Sequence, residues 1–543
     1  MKILIVSLLA FILGWLVLWG PPYPLTTLGP QPAPKPVSFN ISLFAEPFSL
    51  DPLSMGHTAS HYLFNNLYRG LLSYDGTRGL EPEDAHCDWQ DNPNSPDNPL
   101  SFACELKPDL HWSDGRPLVA QDYLRAFYRL IDPETRTPHA EQLLALKNAR
   151  AILEGHKEPT ELGVEVGVNT DSGHKLIFHF EAQDSDFPYR LTHPALSPLP
   201  PEGHPPPEEG HLLLTNGPYL VEDWSNRRLI QLKPNPHYQR GDSRRPDVHF
   251  VFVEDDHTAR RLYDHGRLHF LRRLPTADIP LTQHREDFFQ VPLARFDYIG
   301  FGPELQKLPH LRRALSLALN YPQLKDLYHA LGPPGCPGLP SSYMEKRPCF
   351  EFNPQQARQA LREHRGQINP GNSPETLPAL QLHFSRMGGD DIARGMEWMQ
   401  NQWKHNLSLD IELRPIEQGM LSQSLRHQPP TLFRRGVPLD RPTCLAALEI
   451  FHSSHPENLI QLKSPTYDKI VNDMRHTSSL KARQKLCSQG LKYLMEGYHL
   501  IPLGEIHFSM LISQDFTGWK LNELNQLDLK NLLYLGNLDA QKE

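Results

Sequence analysis

The chain reads as a mixed α/β protein with more than one lobe, and three observations carry that reading. First, Leu100, Phe102, Cys104 and Leu106 alternate with Ser101, Ala103 and Glu105, the period of a strand with one buried face. The turn residues of WSDGRP (112–117) follow, then a helix with Asp122 in its first turn and Leu124, Phe127, Tyr128 and Ile131 at i, i+3, i+4, i+7. Second, ALQLHFS (379–385) and LDIELRP (409–415) flank the helical run 391–406, a βαβ unit that demands a parallel pair. Third, about five hundred residues lie beyond the N-terminal region, more than one hydrophobic core usually organises.

Taken in order, the chain begins MKILIVSLLAFILGWLVLWG, with Lys2 before about eighteen mostly apolar residues, just long enough to span a bilayer. No Cys follows it, and no small-x-small cleavage site precedes Pro21 and Pro22. The expectation is an uncleaved anchor in the cytoplasmic membrane with the remainder outside, the alternative being a cleaved signal sequence. Residues 21–36 form a proline-rich spacer. Val37, Phe39, Ile41 and Leu43 then alternate as a strand, and HKLIFHF (174–180), YLVEDW (219–224), RLIQLK (228–233) and DVHFVFV (247–253) read as further strands. There is no internal repeat, and the 53 prolines imply many fixed loops. A net charge of -9 argues against a nucleic-acid partner, which would need a basic face.

Six cysteines outside the cytoplasm are candidate bridges. Cys87 shares a face with Ala85 and Trp89, and a hairpin closing through the Asp91–Pro99 loop sets it beside Cys104. Cys336 and Cys349 bracket a Pro- and Gly-rich loop whose closure contributes about 3 kcal/mol. By elimination Cys444 pairs with Cys487; the alternative for each is a buried thiol. Without a CxxC there is little support for a zinc ribbon or thioredoxin-type site.

Catalytic patterns are missing: no GxSxG, HExxH, GxxxxGK[ST], or GxGxxG after a strand. His265 and His269 sit four apart but spacing places no third ligand, and His204 and His211 are equally weak as metal ligands. Glu254 and Asp255 read as surface charge. Neither a metal nor a cofactor is expected, and the chain is not expected to be an enzyme.

The wording of several blocks goes further. The stretch 100–138, SLDPLSMGHTASHYLFNNLYRGLLSYD (49–75), TNGPY (215–219), LRRALSLALNYPQL (311–324) and KSPTYDKIV (463–471) together resemble, in the same order, the family 5 extracellular solute-binding proteins of peptide ABC importers. The similarity runs from about Val37 to Gly536. It implies a periplasmic-binding-protein-like α/β fold, two main lobes with a hinge plus a small inserted lobe. The implied boundaries are 37–68, 206–294 and 511–543 for lobe I, 69–205 for the inserted lobe and 295–510 for lobe II. It also implies capture of peptides between the lobes and delivery to ABC permease and ATPase subunits. The alternative is a membrane-tethered peptide sensor or envelope-assembly protein that binds without transport.

Enclosing a peptide desolvates its charged ends, which costs several kcal/mol per ion unless each finds a partner. In the oligopeptide-binding relatives the region matching TLFRRGVPLDRPTC (431–444) reads approximately Arg-x-Gly-Trp-x-x-Asp-Tyr, the aspartate pairing with the ligand's amino group. The resemblance places Arg434, Gly436, Val437 and Asp440 at these positions, with Arg441 where the tyrosine would stand. Asp440 is thus a ligand partner or the cap of the helix after Pro442, and Arg434 a ligand contact or a structural ion-pair partner. Tyr298, in RFDYIGFG, is a cleft aromatic or a core residue with Phe296 and Phe301. Asn216 and Gly217 read as a hinge-side turn.

Overall fold

A computed structural model describes residues 37–536 apart from 45, 48, 55–59, 91–100, 168–174, 204–212, 225–227, 329–331, 368–376 and 387–388. The apolar N-terminal segment, the proline-rich spacer, the Asp91–Pro99 loop, Leu100, His204 and His211 lie outside the described residues. Among the described residues no helix is long and apolar enough to cross a membrane.

The alternating apolar residues at the start of the described chain form strand Phe39–Leu43, the centre of a seven-stranded sheet. Val248–Phe252 and Phe270–Leu271 flank it, both parallel to it. Leu229–Pro234 and Tyr219–Asp223 complete one side, and His507–Ile512 and Phe288–Pro292 the other. Phe39, Ile41, Val248, Phe250 and Phe270 are fully buried against Tyr62, Leu63 and Leu67 of helix Ser60–Leu67 and against Leu527, Leu529 and Leu532 near the chain's end.

A second sheet runs in the order Glu412–Ile416, Gln381–Ser385, Leu432–Pro438, Arg295–Phe301, Leu500–Pro502. The strands flanking helix Gly389–Leu407 pair in parallel, with Leu382 opposite Leu413. Its two faces carry separate cores, one holding Phe296, Tyr298, Phe433 and Phe451, the other Ile299, Phe301, Leu382 and Trp403.

The block that begins near residue 100 belongs to a third, four-stranded antiparallel sheet of Ala85–Trp89, Ser101–Leu106, Lys175–His179 and Val164–Gly167. Gly115, at φ 87°, supplies the left-handed residue that its turn needs. Helix Ala120–Ile131 follows, and Asp122 in its first turn accepts from the Val119 N–H and from Trp112 Nε1, both at 3.1 Å. Asp122 therefore ties turn to helix while its charge complements the helix N-terminus.

The chain crosses from the first sheet to the second between Pro292 and Arg295 and returns between Pro502 and His507. The return falls before the expected residue 510, because His507–Ile512 is itself a strand of the seven-stranded sheet. The crossings run side by side: Leu293 N–H donates to Ile506 O and Leu503 N–H to Asp297 O, each at 2.9 Å. Disulfides join Cys87 to Cys104, directly opposite in the strand register, Cys336 to Cys349, and Cys444 to Cys487.

Candidate functional site

Strand Leu432–Pro438 lies antiparallel to Arg295–Phe301, with Gly436 opposite Asp297. Asp297 is fully buried and accepts from Arg295 Nε at 2.5 Å and from the Arg434 guanidinium. A Cβ on Gly436 would meet Arg295 Nη2 at 2.1 Å and Asp297 Oδ1 at 2.7 Å, so glycine makes room for this ion cluster rather than for a ligand. Arg434 is thereby an ion-pair partner, although its Nε is buried without an acceptor. Tyr298 does not line an open cleft: it is fully buried beside Phe296, Phe433 and Phe451.

Past Pro438 the strand gives way to the loop carrying Asp440 and Arg441. Thr443, not Asp440, caps helix Cys444–Leu448 by accepting from the Ala446 N–H at 3.3 Å. Asp440 is left to face the inserted lobe, where it accepts from Gln142 Nε2 at 2.8 Å and from Arg441 Nη1 at 2.8 and 3.1 Å. Arg441, only 1% exposed, is the hub. It donates through Nε to Asp186 Oδ2 at 2.6 Å and through Nη2 to Glu449 Oε1 at 2.5 Å. Thr443 Oγ1 donates to the same Asp186 oxygen at 2.5 Å and Arg483 pairs with the other. Arg190 bonds Asp184 at 3.0 Å and Gln142 Oε1 at 3.3 Å, and Arg475 lies 3.4 Å from Glu449. A buried seam of charge thus joins the four-stranded unit to the five-stranded one.

Burial pushes the Asp440 carboxyl up, but Arg441 and Arg190, with the Gln142 hydrogen bond, outweigh it and hold it well below the usual carboxylate range. Asp186 and Glu449 are likewise lowered, in each case by Arg441 first among the opposing charges. Five carboxylates (Glu141, Asp184, Asp186, Asp440, Glu449) meet four guanidiniums (Arg190, Arg441, Arg475, Arg483). The excess negative charge resides on Glu141, the most open of the five. Its carboxyl is pushed up to about 7 by desolvation and then by Asp440 and Glu449.

Three imidazoles adjoin this acidic end. His61, on the helix of the first lobe, lies 6.1 Å from His193 between ring centroids, and His139 lies 5.0 Å from His193. Desolvation, then His139, lowers His61 to about 4, and His193 falls well below its ordinary value through desolvation and then its two neighbours. His193 feels the Asp440 charge in return, so residues from all three sheet units converge here.

Other candidates find ordinary roles. His265 Nδ1 lies 2.7 Å from Arg261 O and His269 Nδ1 accepts from the Asn40 N–H at 3.0 Å, while Asp255 caps helix Asp256–Asp264 through the Thr258 N–H at 2.7 Å. Among the described residues no cluster of His, Cys, Asp or Glu is arranged to hold a metal ion. A cavity of about 410 Å³ bordered by Arg69, Asp75, Lys520 and Asp528 lies apart from Asp440. Its charges are spent internally, Arg69 on Asp528 at 2.7 Å and Lys520 on Asp75 at 2.7 Å, so it offers a ligand charge little. Asn216 ties the crossing back to the first sheet by bonding the Arg69 backbone and Asp84.

Sequence reasoning missed Glu141, Gln142, Asp186, Arg190, Glu449 and the histidine trio. One signal was present: Glu449 is the single charged residue in the apolar run 444–451, the mark of a buried, paired carboxylate.

Separate α/β sheet units, connected by two adjacent strand crossings and meeting at a charged seam, define a solute-binding protein of the periplasmic-binding type. Residues 89–449 match the middle of the bacterial extracellular solute-binding proteins, family 5, and the chain belongs to that family. The periplasmic murein peptide-binding protein MppA of Escherichia coli is 22% identical over 514 residues, covering 90% of this chain and 91% of its own. The periplasmic oligopeptide-binding protein OppA of Haemophilus influenzae is 24% identical over 527 residues, covering 91% and 92%. The solved structure of the Escherichia coli murein tripeptide binding protein MppA superposes with a TM-score of 0.75 at 21% identity, over 92% of this chain and 99% of that one.

Proposed function

We propose that this protein captures peptides outside the cytoplasm, encloses them between its lobes and presents them to ABC permease and ATPase subunits, performing no covalent chemistry itself. The family places it among extracellular solute-binding proteins, and the peptide-binding names of its relatives support the ligand class. They lend no support to the tethered-sensor alternative. The lobe boundaries are proposed to follow the three sheet units, and residues 1–20 to hold the protein at the membrane through the proline-rich spacer.

The observation that carries the reading is the acidic end built around Asp440. Arg441 neutralises much of that carboxylate, yet five carboxylates face four guanidiniums, so the cluster turns net negative as Glu141 ionises through about pH 7 and a ligand ammonium entering beside Asp440 then completes the charge balance. The test is a cycle combining Asp440→Asn with N-acetylation of a bound peptide, measured by calorimetry. Loss of one partner of a desolvated ion pair typically costs about 2–5 kcal/mol. The acetylated peptide should therefore lose far less than the free one on mutation. A coupling energy near zero would remove the amino-terminus assignment, and binding of no peptide by the wild type would remove the ligand class.

A further inference from the structure

The three disulfides differ in what they hold. Cys87 and Cys104 face each other across paired strands, and Cys444 and Cys487 are buried on helices Cys444–Leu448 and Leu480–Glu496. The strand ladder and the helix packing hold those elements as well. Cys336 and Cys349 instead close a loop whose interior has only the single turn Ser341–Tyr343. Besides the bridge, its base is held by the Phe350 N–H, which donates to Gly335 O at 2.9 Å. Of the six cysteines Cys349 alone is exposed, whereas its partner Cys336 is buried. Cys349 opens onto a groove of about 790 Å³ bordered also by Phe350, Ser488 and Tyr498, with room for an attacking thiol.

This loop lies against the return crossing between the lobes. Gly332, just before it, donates its N–H to Glu505 O at 2.7 Å. A Cβ on Gly338 would meet Gly504 O at 2.2 Å, so loop backbone and crossing backbone touch directly. Arg347 donates to Leu339 O at 2.5 Å and to Glu505 Oε2 at 3.0 Å, tying the two limbs of the loop to one residue of the crossing. Leu339 and Met344, both buried, seat the loop in the core that holds Tyr298 and Phe451. Next to Glu505, Ile506 O accepts from the Leu293 N–H of the outward crossing. The loop therefore braces the place where the lobes are joined.

We propose that the Cys336–Cys349 bridge is a redox-sensitive clamp on the hinge, opened by a dithiol. One thiolate of the dithiol attacks Cys349 Sγ. A new S–S bond forms as the Cys336–Cys349 bond breaks, and the electron pair passes to Cys336 Sγ, which takes up a proton. Pro334 O lies 3.7 Å from that sulfur, placed to accept from the thiol. The second thiolate of the dithiol then displaces Cys349 from the mixed disulfide. The dithiol leaves as a disulfide, and its two protons end on Cys336 and Cys349. Freed of its closure, the loop regains conformational freedom and its brace on Glu505 weakens. That a loosened hinge releases ligand sooner rests on the peptide reading above.

The experiment treats the folded full protein with dithiothreitol, quenches by alkylation and maps the modified cysteines by mass spectrometry. Cys336–Cys349 should open at least about tenfold faster than either other bridge, since a buried sulfur is attacked only as fast as the structure uncovers it. Hydrogen exchange is then read on protein alkylated at Cys336 and Cys349 alone, and on the double variant Cys336→Ser, Cys349→Ser. The amides of Leu293, Gly332 and Leu503 should exchange about tenfold faster than in the bridged protein, while those of strand Val248–Phe252 keep their rate. Dissociation of bound tri- and penta-alanine should quicken as well. If another bridge opens first, or all three open together, the clamp is refuted, and so it is if opening leaves those three amides unchanged. If the amides exchange faster but the peptides leave no sooner, the clamp stands and its control of ligand release is refuted. If the bridged protein binds neither peptide, the peptide reading falls and the exchange rates alone decide the clamp.

Discussion

Replacing Arg441 by methionine keeps an unbranched apolar stem and removes the guanidinium that is the hub of the seam. Asp186, Asp440 and Glu449 then lose their common cation, at contacts of 2.6, 2.8 and 2.5 Å, in a site where Arg441 is 1% exposed. Breaking a buried pair by deleting one partner costs about 3–5 kcal/mol, most of it the penalty of the stranded charge. The sign of the pH dependence follows from the carboxyls. Each is held low in the folded protein, so each contributes stability that is present above its unfolded value, about 4, and is lost as the pH falls through the depressed folded value. Without Arg441 that contribution is missing, and the deficit of Arg441→Met should be full at pH 7 and shrink steadily below pH 4, as the stranded carboxylates take up protons. Denaturant unfolding of both proteins across pH 3 to 8 measures it. A deficit of similar size at every pH would mean that packing, not charge, is what Arg441 provides, and equal stability at pH 7 would refute the role of the hub altogether.

Three further outcomes are expected. Affinity for peptides with a free amino terminus should rise as the pH passes upward through about 7, where Glu141 ionises, and Glu141→Gln should flatten that rise; a pH series by calorimetry checks both. Replacing Cys444 and Cys487 together by serine should cost about 4 kcal/mol, because their bridge closes the longest of the three loops, 43 residues; unfolding of the double variant tests this. If residues 1–20 stay as an anchor, the protein should remain with membranes through salt and carbonate washing, and N-terminal sequencing that begins beyond Pro21 would contradict it.

The parts of the fold legible in the sequence are those set by neighbours along the chain. Period-2 alternation located Phe39–Leu43, and the 3.6-residue period with Asp122 located Ala120–Ile131, because short-range contacts decide both. The Gln381–Ser385 and Glu412–Ile416 pair was legible because an intervening helix of that length returns a strand in parallel. Tyr298 shows where periodicity stops: its strand is buried on both faces, so alternation cannot tell a core face from a cleft face. The seam was out of reach for a different reason. Arg441 and Asp186 are 255 residues apart, and nothing local in either segment names the other. Asp440 was ambiguous between cap and ligand until Thr443 was seen to hold the cap.

The seven-stranded sheet has a consequence for how the protein is made. Its strand His507–Ile512 lies between Phe288–Pro292 and Phe270–Leu271, and still later residues finish the packing of helix Ser60–Leu67. There Asn66 bonds Leu527 O and the Leu529 N–H, both at 2.9 Å, and Tyr62 donates to Asn525 at 2.5 Å. The first lobe to emerge from the ribosome is therefore the last that can close, while the lobe between residues 295 and 502 is contiguous and needs no such wait. Until the residues from His507 onward arrive, the nascent chain keeps an unfinished sheet with exposed edges, a state open to chaperones and compatible with passage through a translocation pore. Translation and folding are in this way kept out of step by topology alone.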